Sequence, residues 1–394
     1  MKQQMKPQVA IIAARRTPQG RFLGRLSKFS AVDLALAASN ALITDLNRPE
    51  LIQKIDQSII GNVLSAGQGM NIARQISIKS GVPASSPAYS VNMMCGSGMK
   101  AIMLGCDAIR SDQAQLVLCG GTESMSQAPY IASGVRYGLK FGDAKLIDCI
   151  LKDGLVDAFD GEHMGLSAER LAREFQISRE DQDYFALQSQ QRVANAMANG
   201  LFQNEIAPVG GLAVDEHPRP ESTIESLSGL KPAFDPEGTV TAGNASGIND
   251  GAAMLLLSSL EFVRNHSLSP LAFITDYSEV GCNPRSMGLG PVHAIHKITD
   301  RNGIGVEQFD RIEINEAFAA QTLSCLKQLK LSPDRINVNG GAIALGHPIG
   351  ASGARLIVHL AHELSNGLAH NSIASLCVGG GMGVAMTLNR SIEK

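Results

Sequence analysis

The feature that most constrains this chain is that it reads as one α/β module written twice. The strand-like run Gln8-Val9-Ala10-Ile11-Ile12 returns as Leu271-Ala272-Phe273-Ile274, and Ile55-Asp56-Gln57-Ser58-Ile59-Ile60 returns as Phe309-Asp310-Arg311-Ile312-Glu313-Ile314. Val91-Asn92, ahead of a Gly-rich turn and a helix, matches Val338-Asn339, and Leu118-Cys119-Gly120-Gly121 matches Leu376-Cys377-Val378-Gly379-Gly380. The four recur in the same order at a spacing of roughly 250 to 260 residues, as a duplicated unit requires. The second copy closes with two apolar runs, Ile373 to Cys377 and Val384 to Leu388, around a Gly-rich turn, which is a hairpin pattern. In the first copy the partner of Leu116 to Cys119 is Gly251 to Leu257, far downstream, so residues from about 121 to 250 read as an insertion into a hairpin tip. The expected division is an N-terminal half at 1–121, completed by about 245–270, an inserted loop domain at 122–244, and a C-terminal half at 271–394.

The insertion has its own character. Two amphipathic helical stretches are expected, Ser167 to Phe175 and Arg179 to Asn199, the second opened by Ser178 and Asp181 and stopped by Gly200. After Pro208 the chain becomes loop-rich through Pro218, Pro220, Pro232 and Pro236, and a loop of this length is usually functional.

Composition narrows the class. With 34 basic and 37 acidic residues the net charge is −3, so no overall basic field draws the chain to nucleic acid or an anionic membrane. No apolar run approaches the ~18 residues of a membrane span. Met1 to Pro7 lacks both the apolar core of a signal peptide and the Arg-rich pattern of an import sequence, so a cytoplasmic enzyme is the expectation. Seven Cys, at 95, 106, 119, 149, 282, 325 and 377, show no C-x-x-C pair and are odd in number, which argues against a disulfide framework and against a metal site. Gly, at 40 of 394 residues, exceeds the usual ~7% and clusters in a few loops.

Three of those loops carry chemistry. Cys95, in Val91-Asn92-Met93-Met94-Cys95-Gly96-Ser97-Gly98-Met99, sits at a strand-to-helix turn beside a helix N-terminus, the setting that lowers a thiol pKa. A small residue buried in a tight turn fits the same local pattern equally well. His347 lies in the loop from Asn339 to Gly353, ahead of a helix with Ala354, Ile357, Val358, Ala361 and Leu364 on one face. That loop matches no phosphate-binding fingerprint, so an imidazole aimed at a substrate and a merely solvated one both remain open. Cys377 ends a strand before Gly379, Gly380 and Gly381, where exposed backbone N–H groups are suited to an oxyanion. Asn315, after the Ile312 to Ile314 strand, either holds a water or caps the next helix.

In combination, Val91-Asn92-x-x-Cys95-Gly96-Ser97-Gly98, Asn315-Glu316-Ala317-Phe318, Gly340-Gly341-x-x-x-x-Gly346-His347-Pro348-x-Gly350-x-Ser352-Gly353 and Cys377-x-Gly379-Gly380-Gly381-Met382-Gly383 resemble the signature blocks of the thiolases, in the family's order. Thr241 to Ala252 resembles a further block, and the similarity covers essentially the whole chain. It implies the thiolase fold, two duplicated βαβ-rich halves in a layered αβαβα arrangement with a loop domain carried by the first.

The resemblance also implies roles. Cys95 would take an acyl group from acyl-CoA, with His347 accepting the thiol proton, and Cys377 would remove a proton from the methyl carbon of a second acetyl-CoA. One oxyanion hole would use Nε2 of His347 and a water held by Asn315, the other the backbone N–H groups of Cys95 and Gly379. For the CoA handle it suggests Arg219 and Ser226 near the nucleotide, with Lys231 as an extra cation. It puts Ser246 on the pantetheine and His163 and Met164 toward the thioester end, with Phe318 among the substrate- and CoA-binding residues. No resident cofactor is implied, since the CoA thioesters are substrates, and a homotetramer built from tight dimers is expected.

Glu162-His163-Met164-Gly165 and Met287 resemble the short-chain biosynthetic members, which join two acetyl-CoA into acetoacetyl-CoA and CoA. Leu166-Ser167-Ala168-Glu169 is closer to the degradative, broad-chain 3-ketoacyl-CoA members. A non-catalytic lipid carrier on the same fold is the reading from another class. Retention of Cys95, His347, Asn315 and Cys377 together argues against it.

Overall fold

The computed structural model describes residues 9–392. The first half runs β1 (Val9–Arg16), β2 (Gly20–Arg21), α1 (Ala31–Leu46), β3 (Gln57–Gly61), α2 (Ile72–Lys79), β4 (Ala88–Val91), α3 (Ser97–Arg110) and β5 (Leu116–Ser124). The insertion carries β6 (Tyr130–Ala132), β7 (Leu146–Asp148), α4 (Met164–Glu174), α5 (Arg179–Ala198) and α6 (Ile224–Ser228), after which β8 (Asn249–Ser258) and α7 (Leu260–Asn265) complete that half. The second half follows as β9 (Ala272–Gly281), α8 (Gly290–Asn302), β10 (Arg311–Ile314), α9 (Ala319–Leu329), α10 (Ala342–Leu345), α11 (Ile349–Ser365), β11 (Asn371–Val378) and β12 (Met382–Asn389).

The duplication is visible in the strand order, β10-β11-β12-β9-β1-β8-β5-β3-β4, with β2 on β8. The seam is the antiparallel pair β1 and β9, where Ile11 faces Ala272. Outward from it, β8 and β5 form one antiparallel pair and β12 and β11 the other, followed by parallel β3 and β10. The match of Val338-Asn339 to the β4 region does not extend to a strand. In the second half, Ile336 makes a single parallel bridge to Ile312 instead, and Pro333 just ahead of it opens a 3₁₀ turn that shortens the run available for pairing.

Period-2 alternation along the buried strands sorts side chains into layers. Val117, Cys119, Leu255 and Leu257 of the first half and Ala374, Leu376, Val384 and Met386 of the second all face α3 and α11, which lie between them. The opposite faces are covered by α1 and α2 in the first half and by α8 and α9 in the second. The result is the layered αβαβα arrangement. As a middle layer, α11 is buried nearly all round, so its polar residues Arg355, His359 and Glu363 are enclosed as well as its apolar face. Two of them are held by hydrogen-bonded partners: Nδ1 of His359 lies 2.9 Å from Glu205, and Arg311 reaches Glu363 at 2.6 Å, while Arg355 stands 3.8 Å from Glu313.

Pairing of β5 with β8 continues to Ser124 and Asp250, so the inserted chain occupies residues 125–248. Within it, α5 begins at a full capping box between Ser178 and Asp181 and ends before Gly200, whose φ is +69°. Its Val193 and Ala196 pack on Ala344 and Leu345, which anchors the insertion beside the His347 loop.

Candidate active site

The two halves present equivalent ends to one cavity of about 670 Å³, lined by Cys95, His347, Cys377 and Gly379 together with His163, Met164, Arg219, Ser246, Met287 and Phe318 of the insertion and second half. Asn315 stands behind this lining, fully buried. Ser226 is placed elsewhere. It sits in the capping box of α6, its hydroxyl bonded to Thr223, because a hydroxyl at the third position of so short a helix is drawn to the orphan backbone groups there. Arg21, Phe22, His217 and Phe234 line the cavity as well, and no local motif marks them.

Cys95 rests on a braced turn. Met94 adopts φ +45°, a left-handed conformation uncommon for a side-chain-bearing residue. It is held there because Asn92 Oδ1 accepts from the Met94 N–H at 3.0 Å, while Ser97 Oγ accepts from the Met93 N–H at 2.8 Å and donates to the Met94 carbonyl at 2.6 Å. Strain fixed in this way lifts the half-buried Cys95 ahead of the first turn of α3. Loss of solvent pushes its thiol up to about 11, against the backbone N–H groups of Gly379 and of Cys95 itself, which point at the sulfur and favour its anion. Two donors converging there are equally placed for an oxygen on a carbon bonded to that sulfur. Burial raises the Cys377 thiol well above its ordinary value, and Cys95 is the nearest electrostatic contributor after it.

His347 is held at two points and open at a third. Its backbone N–H donates to Asn249 Oδ1 at 2.9 Å, Nδ1 lies 2.6 Å from Ser352 Oγ, and Nε2 faces the cavity with no protein partner among the described residues. Burial, with Arg355 adding to it, holds its pKa down to about 4, so the ring is neutral at pH 7. Among the described residues neither Oδ1 nor Nδ2 of Asn315 has a hydrogen-bond partner either, although its backbone N–H reaches the Ser375 carbonyl at 3.0 Å. It does not cap α9, whose N-cap is Phe318. A buried amide of this kind requires a water or a ligand group.

The far wall is aromatic. His163 caps α4, its Nδ1 accepting from the Gly165 N–H at 3.0 Å, so its proton is on Nε2. The ring stacks on Phe234 at 4.6 Å, and Phe234 meets Phe318 edge-on at 6.0 Å. A β-carbon on Gly165 would fall 2.3 Å from the Phe234 ring, which is why the chain carries glycine there. At the cavity mouth, Arg21 and Arg219 supply positive charge beside Glu216 and Glu221.

Below the site lies Glu123. Its carboxylate accepts from the N–H groups of Val63, Leu64 and Gly350 and from Nδ2 of Asn62, at 2.8 to 3.1 Å. It thereby ties the ends of β3 and β5 to the first turn of α11. Burial nonetheless pushes it up to about 7.

Chemically, this is a pocket with two thiols, a neutral imidazole whose Nε2 is free, and two groups of hydrogen-bond donors, which suits acyl transfer through a thioester. Among the described residues no group of three or more His, Cys, Asp or Glu side chains is arranged to hold a metal ion.

Comparison with known proteins agrees in extent and in kind. A family model described as "Thiolase, N-terminal domain" matches residues 9–261, and one described as "Thiolase, C-terminal domain" matches residues 268–390. An acetyl-CoA acetyltransferase of Pseudomonas aeruginosa is 47% identical, the alignment covering 97% of this chain and 99% of that protein. A mitochondrial 3-ketoacyl-CoA thiolase of Bos taurus is 44% identical over 97% of this chain and 98% of its own length. The crystal structure of human mitochondrial 3-ketoacyl-CoA thiolase in complex with CoA superposes with a TM-score of 0.95 at 43% identity, covering 98% of this chain and 99% of that one.

Proposed function

The chain belongs to the thiolase family, and on that premise we propose that it is an acetyl-CoA C-acetyltransferase, reversibly joining two acetyl-CoA into acetoacetyl-CoA and CoA. The observation that carries this reading is the convergence of Cys95, His347, Cys377 and Gly379 on one cavity walled by His163, Met164, Phe234, Met287 and Phe318. Cys95 attacks the first thioester while Nε2 of His347 takes its proton. The oxygen of the tetrahedral carbon is held by the N–H groups of Cys95 and Gly379.

The Cys377 thiol lies well above its ordinary pKa, so it needs a strong acceptor before it can act as a base. The departing CoA sulfur is such an acceptor. It takes the Cys377 proton, leaving a Cys377 thiolate beside an imidazolium at His347. That thiolate removes a methyl proton from the second acetyl-CoA, and the enolate oxygen is held by the Nε2–H of His347 and a water on Asn315. The enolate carbon attacks acetyl-Cys95, and the Cys95 sulfur leaves with the proton returned from Nε2. Both thiols and the imidazole end as they began.

The name borne by the bovine relative favours a second reading, a broad-chain 3-ketoacyl-CoA thiolase of fatty acid degradation. Side chains as large as Met287 and Phe234 around the thioester end favour the short substrate. Thiolysis assays with acetoacetyl-CoA and a long-chain 3-ketoacyl-CoA separate the two, with kcat/KM expected to be higher for the short substrate. Equal or higher kcat/KM on the long one overturns the acetyl-specific reading. A homotetramer is proposed as well, supported by the exposed apolar side chains of the β6–β7 hairpin, where Tyr137 is 88% and Leu146 70% exposed. Sedimentation of the purified protein at the monomer mass would overturn it.

A further inference from the structure

We infer that Ser352 is the positioning residue that makes Nε2 the only working nitrogen of His347. This rests on the proposed role of His347 as the proton acceptor for Cys95. Ser352 is 1% exposed, in the first turn of α11. Its Oγ makes two short contacts, 2.6 Å to Nδ1 of His347 and 3.0 Å to the Pro348 carbonyl.

A serine hydroxyl carries one hydrogen, and a carbonyl can only accept. With that hydrogen on Pro348, Nδ1 must be the donor toward Ser352, and Nε2 presents a bare lone pair to the cavity. The opposite arrangement turns the hydroxyl toward a bare Nδ1 and leaves no hydrogen in the 3.0 Å contact between Ser352 Oγ and the Pro348 carbonyl oxygen. The first arrangement makes a hydrogen bond of both contacts and the second of only one, so the first is the resting one. Asn249 completes the fixation by holding the His347 backbone N–H at 2.9 Å.

The consequence is a one-nitrogen shuttle. As the bond from Cys95 sulfur to the acyl carbon forms, the thiol proton moves to Nε2, while Nδ1–H stays on Ser352 and no bond of Ser352 is made or broken. Nδ1 has no other described neighbour through which to lose its proton, so the proton gained at Nε2 must depart from Nε2. Any N–H that His347 offers to an enolate oxygen is therefore the proton received from a thiol. Ser352 contributes by accepting from the charged ring, a hydrogen bond stronger than a neutral one.

The test compares wild type, Ser352→Ala and Ser352→Thr. Acetyl-enzyme formation from labelled acetyl-CoA is followed by rapid quench, and the histidine ring nitrogens are observed by 15N NMR, with His347→Asn used to assign the His347 signals. The free wild-type enzyme is expected to show the proton of His347 on Nδ1. Ser352→Ala should form acetyl-enzyme about tenfold more slowly or worse at nearly unchanged KM, with a mixture of tautomers, and Ser352→Thr should restore both. A wild-type proton on Nε2, an unchanged rate in Ser352→Ala, or a slowed Ser352→Thr whose tautomer is intact would each overturn the inference. Failure of the wild type to form any acetyl-enzyme would instead refute the proposed reaction, so the two failures are distinguishable.

Discussion

Gly121 in β5 and Gly350 in the first turn of α11 approach so closely that a β-carbon on Gly121 would lie 2.1 Å from the Gly350 carbonyl oxygen. The same crossing brings Gly98 of α3 within 3.0 Å, by its absent β-carbon, of the Ala354 β-carbon, and Gly353 within 2.7 Å of the Met99 nitrogen. Cys95 precedes α3 and His347 precedes α11, so this glycine contact sets the distance between the two reactive groups. Backbone cannot give way as a side-chain tip can. Gly121→Ala is expected to cost about 3 kcal/mol of stability and to depress acetyl-enzyme formation further than the loss of folded protein explains. Gly281→Ala, where no atom lies within 4 Å of the new carbon, should change stability by less than ~0.5 kcal/mol. Thermal unfolding and burst kinetics on both variants provide the comparison.

The charge state of the resting site can be read by alkylation. Cys95 is pushed up to about 11 and His347 held down to about 4, so at pH 7 the pair is a neutral thiol and a neutral imidazole rather than an ion pair. Because only the thiolate reacts, the rate of Cys95 modification by iodoacetamide should climb about tenfold per pH unit from pH 7 to 9. A plateau below pH 8 would mean that the thiolate already exists at rest and that its activation does not wait for substrate.

Much of this arrangement was open to reading from residues, and the parts that were not share a physical reason. The duplicated strands and the pairs β11–β12 and β5–β8 follow from matched apolar runs, since strands buried on both faces announce themselves as continuous hydrophobic segments, whereas the seam of β1 and β9 is set by contacts between the halves. Cys95, His347 and Cys377 each lie in or beside a Gly-rich turn, and what singles them out is their combination with Asn315 in blocks that resemble the thiolases. Phe234 and Arg21 reach the cavity through loop geometry over long sequence distances, and nothing in their neighbours records where they end up. Ser226 sits in the capping box of α6, outside the cavity lining. The polar residues of α11 look like a solvated face. They are buried because a middle-layer helix has no outside, and partners distant in sequence, Glu205 and Arg311, hold His359 and Glu363.

Glu123 links the site to pH. Burial raises it from 4.5 to about 7 in the folded chain, so between those values the folded state holds a proton that the unfolded state has lost. Its contribution to stability is therefore complete below the unfolded pKa and disappears as pH rises through about 7. Over pH 6.5 to 8, where His347 and His217, both lowered to about 4, are neutral when folded, this group should remove about 1 kcal/mol as pH increases. Glu123→Gln should abolish that part of the slope. It should also lower stability at every pH, since a side-chain amide cannot accept all four donors from Asn62, Val63, Leu64 and Gly350. Denaturant unfolding of both proteins across this range measures slope and offset separately. An unchanged slope would show that Glu123 is ionised throughout.

Division of labour between the two thiols gives the strictest test of the proposed chemistry. Cys95 and Cys377 line one cavity, but only Cys95 has two backbone N–H groups aimed at its sulfur. A carbonyl oxygen on an acyl-Cys95 would be stabilised there, whereas Cys377, at the end of β11 and almost fully buried, has its ionisation opposed by burial and by the neighbouring Cys95 sulfur. Cys377→Ala should accordingly still become labelled on Cys95 by acetyl-CoA, though more slowly, because Cys95 attack and His347 proton transfer remain while the departing CoA sulfur must take its proton from the His347 imidazolium instead of from Cys377. The labelled protein should then persist, since nothing is left to remove the methyl proton of a second acetyl-CoA, and condensation should fall by about 10³-fold or more. Cys95→Ser, in contrast, should neither accumulate label at a comparable rate nor condense, a hydroxyl being far harder to ionise than a thiol in the same donor cradle. Mass spectrometry of the intact variants after mixing with acetyl-CoA reads the first half-reaction, and acetoacetyl-CoA formation reads the second. Normal condensation by Cys377→Ala would remove Cys377 from the mechanism, while label found on Cys377 in the wild type would reverse the two assignments.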